Sequence, residues 1–172
     1  MYKLCWMGIM SAIPTPNIIA PPITIEGMFL NYLQGDAALV AIATGGIYAF
    51  SSLGHQGIHR DSTPAAYDVD GYLLPILIIK ARSPIPNPAI MDPEERVIGL
   101  TRVVEFWMYQ WVGYDLIEVM DNFLFTLLQN HKFPDYYPIN WMYTTGLLTD
   151  PGSLNGASMM RSDYITRKLR WA

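Results

Sequence analysis

The sequence has one cysteine and few charges. Charged residues make up 15% of its 172 positions and hydrophobic residues 51%, whereas about 25% of an average soluble domain is charged. Because Cys5 is alone, it excludes an intrachain disulfide framework and a zinc site built on cysteines, which fits a reducing compartment. A surface so poor in charge has little to keep chains apart, so we expect other subunits to cover part of it.

Long apolar runs are missing as well. No stretch approaches the roughly 18 consecutive apolar residues of a membrane-spanning helix, and the longest comparable run, 73–79, is interrupted by a proline. The apolar run 4–13 is broken by glycine and serine and has no clear cleavage site, which disfavours a secretory signal. We therefore expect no membrane partner, and a secreted or membrane-associated protein is only an alternative.

A general basic surface and the common catalytic motifs are also absent. The net charge of −4 argues against nucleic-acid binding by a broad surface, since phosphate contacts need clustered lysine and arginine. The sequence contains neither a G-x-x-x-x-G-K-[ST] nor a G-x-G-x-x-G motif, and it has no G-x-S-x-G nucleophile elbow. We expect no enzyme activity, no cofactor and no metal.

The polar stretch 51–72 is the first candidate contact element. His55 and His59 lie four residues apart in it, a spacing that zinc ligands use on a helix, but a loop does not fix that geometry. Asp68 is better explained as a turn residue. A loop longer than about 12–15 residues is usually functional or mobile. A small ligand-binding or catalytic α+β domain that uses this loop is the remote alternative.

The N-terminal 24 residues predict an extended arm, followed by a single α+β domain over 25–172. Four prolines between positions 14 and 22 remove backbone donors and hold the preceding residues in extended geometry. An extended arm cannot bury its own Ile18 and Ile19, so it either lies across the domain or reaches a neighbour. The hypothesis is that it clasps a neighbouring subunit.

Periodicity predicts the order of helices and strands. Helical spacing of apolar residues predicts helices over 25–33, 37–43 and 114–130, and Asp36 is a suitable N-cap for the second one. Alternating or continuous apolar runs predict strands over 47–50, 73–81, 101–111, 140–149 and 162–171. The proline-rich stretch 83–93 is predicted as a loop. The fold class is α+β: a mostly antiparallel sheet of about four strands packed against one long and one or two short helices.

Both faces of the predicted strand 101–111 are largely apolar. Residues 104, 106 and 108 share one face, and Trp107, Tyr109 and Trp111 lie on the other. One of these faces would be exposed unless another element or another chain packs on it. The aromatic face is therefore a candidate inter-subunit contact, as are Ile18 and Ile19. Phe125 joins them because it falls on the polar side of the long helix.

Basic residues gather in the predicted last strand. Arg167, Lys168 and Arg170 put positive charge on both of its faces. The plain interpretation is an edge strand whose charges discourage unwanted pairing. The alternative is contact with an acidic neighbouring subunit or with DNA in a channel.

Residues 29–48, FLNYLQGDAALVAIATGGIY, resemble the opening of bacteriophage tail-terminator and tail-completion proteins. In that family a short helix ends at a polar residue and Asp, a second short helix leads into a Gly-Gly turn, and an Ile-Tyr strand follows. The later elements fit the same order, so the resemblance covers about 25–172. The proline-rich arm and the long 51–72 loop exceed a minimal member, and they leave a head-tail adaptor or other neck protein as the alternative.

The resemblance implies a structural virion protein that forms a ring, typically a hexamer, which terminates the tail tube and joins it to the head connector. It implies no cofactor. The expected partners are further copies of the chain, the tail-tube protein and the head connector or adaptor proteins, with DNA passing nearby in the channel. The protein would reside in the virion neck, and in the host cytoplasm during assembly. The candidate partner-ring or channel contacts are His55, His59, Arg60, Arg167, Lys168 and Arg170.

Overall fold

A computed structural model describes residues 24–54, 57–92, 97–150, 154 and 156–171. The predicted arm therefore lies outside the described residues, apart from its last position, and the division into arm and domain stays a prediction. The helices are α1 (Ile25–Gln34), α2 (Ala37–Ile42) and α3 (Asp115–Leu128). The strands are β1 (Gly46–Ala49), β2 (Ile76–Ala81), β3 (Ile85–Asp92), β4 (Val97–Gln110), β5 (Asn140–Thr144), β6 (Leu148–Thr149) and β7 (Ser158–Trp171).

The seven strands of the described residues form one sheet. Its main path runs β1-β2-β4-β7-β5, while β3 pairs with β4 and β6 pairs with β7. β1 and β2 run parallel, and the other pairs are antiparallel. β4 and β7 pair along their whole length, from Val97 opposite Trp171 to Gln110 opposite Ser158. The predicted α+β class with a mostly antiparallel sheet is confirmed.

Side-chain caps explain where the two short helices begin. The Thr24 hydroxyl accepts a hydrogen bond from the Gly27 amide at 3.1 Å, at the start of α1. The Asp36 carboxylate accepts one from the Leu39 amide at 2.8 Å, at the start of α2. Each cap satisfies a backbone donor that has no partner within its helix. The predicted N-cap role of Asp36 is confirmed.

The main core lies between the helices and one face of the sheet. Phe29 of α1, Phe106 of β4 and Tyr164 of β7 are fully buried there. The ring of Phe106 meets Phe29 edge to face at 5.4 Å and Tyr164 at 5.3 Å, an arrangement that aromatic quadrupoles favour. Val104 and Met108 point into the same core, which confirms the predicted alternation of this strand.

The long helix α3 covers the centre of this core. Four of its residues are buried: Ile117, Met120, Leu124 and Leu128. Leu116 lies at the margin of this buried stripe and is 37% exposed. The helix ends at Leu128, because Gln129 adopts an extended backbone, and Asn130 follows it with a left-handed φ of 64°. Within the described part of the chain, no helix is long and apolar enough to cross a membrane.

The predicted loop over 83–93 is wrong, since β3 occupies most of it. Among the described strands, β3 pairs with β4 alone, and an edge strand tolerates proline because half of its N–H groups face no partner. The register shifts between Asn87 and Met91, so the pairing of this edge strand is irregular there. The prolines of 83–93 are therefore typical of an irregular edge strand, and they do not exclude a strand.

A buried carboxylate ties α1 to the ends of two strands. Glu26, in the first turn of α1, is 7% exposed. Its Oε2 accepts a hydrogen bond from the Ser51 amide at 3.0 Å, just after β1, and its Oε1 accepts one from the Ala81 amide at 2.8 Å, at the end of β2. One side chain thus satisfies two backbone donors at one end of the sheet.

Glu26→Gln should destabilise the fold, because its amide nitrogen would face a backbone N–H that needs an acceptor. We expect the free energy of unfolding, measured by urea denaturation, to fall by about 1–3 kcal/mol. Glu118→Gln, at an exposed position of α3, is the matched control and should change it by less than about 0.5 kcal/mol. Equal stabilities of the two variants would contradict this role of Glu26.

Candidate assembly surface

The sheet face turned away from the helices, which we call the outer face, is partly covered by the chain itself. Leu53, Ile58 and Leu73 come from the stretch predicted as a long loop or from its border. They form a second buried cluster with Ile76 and Ile78 of β2. The stretch therefore packs as a cover over one end of the outer face, and two short 3-10 helices, Phe50–Ser52 and Pro64–Ala66, shape it.

The predicted aromatic contacts lie beside this cover. Trp107, Tyr109 and Trp111 are half-buried against the second cluster. The rings of Trp107 and Tyr109 are nearly parallel at 6.5 Å, and Trp111 contacts Tyr72 at 5.2 Å. Burial, with a smaller contribution from the Asp150 carboxylate, raises the pKa of Tyr109 to about 12. The chain covers much of this face by itself, and the inter-subunit role of the three residues stays a prediction.

The middle of the outer face holds four charged side chains, which we call the charged cluster: Arg82, Glu105, Arg161 and Asp163. Arg82 Nε lies 2.5 Å from Glu105 Oε1, and its Nη2 lies 3.4 Å from Asp163 Oδ2. Arg161 Nε is 2.9 Å from the other oxygen of Asp163. Both carboxylates are almost fully buried while Arg82 is half exposed, so the arginines neutralise charges that would otherwise be costly to bury.

Arg161 connects the charged cluster to the edge of the sheet. Its guanidinium lies 5.2 Å from the ring centre of Trp107 and 5.5 Å from that of Tyr143, a β5 residue. It also donates a hydrogen bond to the Tyr143 hydroxyl. Stacking of this kind suits the planar guanidinium. The sequence pattern did not predict the charged cluster. It could have been indicated by two acidic residues, Glu105 and Asp163, that lie inside apolar strands.

The pKa of Glu105 depends on its contacts within the charged cluster. Burial alone would raise its pKa, but hydrogen bonds from the Trp107 indole, at 2.9 Å, and from Arg82 outweigh burial. The positive charges of Arg82 and Arg161 add to them, and the pKa of Glu105 lies below its ordinary value. A carboxylate with a lowered pKa stabilises the folded state above its unfolded pKa of about 4.3, and this contribution is lost as the pH falls through the folded pKa.

Glu105→Gln should remove part of the stability loss in acid. We expect the free energy of unfolding of the unsubstituted protein to fall as the pH drops below about 4, and to fall less steeply in the variant. Asp61→Asn, at an exposed loop carboxylate, is the control and should leave the slope unchanged. Urea denaturation at a series of pH values measures the free energy of unfolding. If this free energy falls in parallel with pH for all three proteins, the lowered pKa of Glu105 is contradicted.

An apolar surface lies along β5 and the neighbouring side of α3; we call it the β5–α3 edge. β5 is the last strand on the main path of the sheet. The large apolar residues exposed along this edge include Phe125, Trp141, Met142, Leu147 and Leu148. An edge strand normally carries charges that prevent association, and this one carries none within Asn140–Thr144.

Contacts between helix and strand hold the β5–α3 edge in place. The ring of Phe125 meets that of Trp141 edge to face at 6.3 Å. The Gln129 side chain accepts a hydrogen bond from the Trp141 amide at 2.9 Å. Phe125 is 47% exposed, as its position on the polar side of the helix predicted. Trp141 and its neighbours were not among the predicted contacts, although the absence of charged residues in 140–149 could have indicated them.

The predicted contacts of the long loop are only partly visible. His55 lies outside the described residues, and His59 is exposed beside Asp61, with 3.5 Å between Nδ1 and Oδ2. Arg60 lies over the ring of Tyr67, and its guanidinium donates to the Gly71 carbonyl. These contacts turn Arg60 back onto its own loop, beside a cavity of about 370 Å³.

Asp68 confirms the turn interpretation. Its Oδ1 accepts hydrogen bonds from the amides of Asp70, at 3.0 Å, and Tyr72, at 2.8 Å. The carboxylate is therefore engaged in holding the turn. Among the residues that the structure describes, no group of three or more His, Cys, Asp or Glu side chains is placed to hold a metal ion.

The basic residues of the last strand lie at one end of β7. β7 runs between β4 and β5 as far as Ile165, and Lys168 forms a further bridge with Tyr136. The edge-strand interpretation therefore holds only for the residues beyond Lys168. Arg167, just before that bridge, is exposed, and its carbonyl accepts a hydrogen bond from the Tyr137 amide at 2.9 Å. The ammonium of Lys168 lies 5.1 Å from the ring centre of Tyr136. Arg170 pairs with Ile98 through the backbone.

No protein-family model matches the chain, and no curated protein matches it either. Eleven chains of solved structures do match. One belongs to a structure described as the virion of a native gene transfer agent (GTA) particle. That match has a TM-score of 0.53 and 9% sequence identity, and it covers 81% of this chain and 90% of that chain. At this identity the likeness shows a shared fold.

Proposed function

We propose that the chain is a non-catalytic structural subunit of a tailed-phage-like particle and that it forms a ring at the junction of tail and head. The observation that carries the proposal is the fold shared with a chain of a GTA virion over most of both lengths. The resemblance of residues 29–48 to tail-terminator proteins supports it independently, because it rests on sequence pattern rather than on fold.

Exposed apolar area supports assembly. A closed ring needs two different, complementary surfaces on each subunit. The β5–α3 edge supplies one, since five large apolar side chains there face water with no charge on the strand to oppose contact. We place the second on the outer face around Trp111 and its neighbour Tyr72, which is 48% exposed. Aromatic side chains are enriched in protein interfaces.

The basic end of β7 is proposed to face a partner ring or the channel. Arg167 is exposed and Lys168 is half-buried beside it, and Arg170 follows on the same strand. Positive charge at this end of β7 would favour an acidic neighbouring surface or DNA in transit, and such contacts would weaken with salt. His59 belongs to the same proposal as an exposed loop residue.

Within this role we propose a tail terminator, in a ring of six, that stops the tail tube and joins it to the head connector. A head-tail adaptor or other neck protein is the alternative. The two differ in the first partner, since a terminator binds assembled tail tubes and an adaptor binds the head connector. Cosedimentation of the purified ring with each partner separates them.

Electron microscopy of the isolated protein should show rings with an axial hole, and light scattering should give a multiple of the 19.5 kDa subunit mass. Phe125→Glu should reduce this mass to that of a single subunit, because a charge would be buried at the β5–α3 edge. Its helical circular dichroism should not change, since Phe125 is exposed in the single chain.

Val69→Glu is the matched control, because Val69 is fully exposed in the loop after the second 3-10 helix. This variant should keep the ring. A Phe125→Glu protein that still forms rings would exclude the β5–α3 edge from the interface. A wild-type protein that remains a single subunit at high concentration would contradict the ring itself.

A further inference from the structure

A shallow apolar groove lies on the outer face near the ends of β1 and β2. Phe50, Ile78, Lys80, Trp107 and Tyr109 line it, and its volume is about 190 Å³. Phe50 is 45% exposed at its rim, and the Lys80 ammonium lies 4.7 Å from the centre of the Phe50 ring. Three aromatic rings in an open groove form a surface that a peptide segment could cover.

The first turn of α1 is tied to the backbone beside this groove. The Glu26 carboxylate binds the amides of Ser51 and Ala81, which directly follow Phe50 and Lys80 in the sequence. Thr24, the first described residue, is two positions before Glu26. The segment 18–23 therefore joins the domain within a few residues of the groove rim.

The segment is long enough to reach the groove. Six extended residues span about 20 Å, while a layer packed on a sheet lies about 10 Å from it. Because β1 is the edge strand of the sheet, the segment has to pass only the end of one short strand to reach the outer face.

The chemistry of the segment matches the groove. Positions 4–23 contain no charged residue, and 18–23 reads Ile-Ile-Ala-Pro-Pro-Ile. Prolines have no N–H to satisfy, and proline-rich extended segments bind grooves lined by aromatic rings. Docking would remove apolar surface from water on both partners.

We propose that residues 18–23 dock in the groove of their own chain and cover Phe50, Trp107 and Tyr109. A segment tethered a few residues from its site is present there at an effective concentration in the millimolar range, so it outcompetes the same segment of another copy. This differs from the hypothesis that the arm clasps a neighbour. The proposal does not depend on the ring or on the virion role.

Cross-linking of the full-length chain tests the proposal. Cys5→Ser removes the native thiol, and Ile19→Cys with Lys80→Cys places one thiol on the segment and one at the groove rim. A short bismaleimide should link them within one chain, with a yield that does not change on dilution. The control pair, Ile19→Cys with Thr126→Cys on the exposed side of α3, should give a yield several-fold lower.

Phe50→Ala in the cross-linking background should lower the yield several-fold, because it removes one wall of the groove at an exposed position that the fold tolerates. Circular dichroism checks that the variant is folded. Links formed mainly between chains would overturn docking in the same chain in favour of the neighbour. A yield equal to that of the control pair, or unaffected by Phe50→Ala in a folded protein, would overturn docking in the groove.

Discussion

The pairing of β4 with β7 is the constraint on which the rest of the fold depends. Fourteen consecutive residue pairs join the two strands, and β2, β3, β5 and β6 each pair with one of them. Because side chains alternate along a strand, this register decides at once which residues of both strands face the helices and which face outward. A shift by one residue would exchange the two faces.

The two faces of the sheet are covered in different ways. The helices cover one face mainly with apolar side chains, whereas the outer face combines a short cover from the loop with the charged cluster. Burying Glu105 and Asp163 is tolerable only because Arg82 and Arg161 accompany them. These four residues come from β2's end, β4 and β7, so the cluster also fixes how those strands sit side by side.

Sequence periodicity predicted the features that depend on nearby residues. The alternation of β4, the cap at Asp36 and the exposure of Phe125 each follow from spacing along one element, and the structure agrees with all three. The charged cluster could not be predicted, because Glu105 and Asp163 lie 58 positions apart and become neighbours only through the register of β4 and β7. β3 was not predicted, because its prolines were taken to exclude a strand. Prolines exclude a central strand but not an edge strand, and the sequence does not reveal that β3 lies at an edge.

The uninterrupted β4–β7 ribbon also has a mechanical consequence. A force directed along two antiparallel strands loads all the hydrogen bonds between them at the same time, whereas a force across one end opens them in succession. Fourteen paired positions therefore make the domain stiff along the strand axis and much weaker against peeling from an end. The domain would therefore withstand the largest load when this axis is aligned with the force.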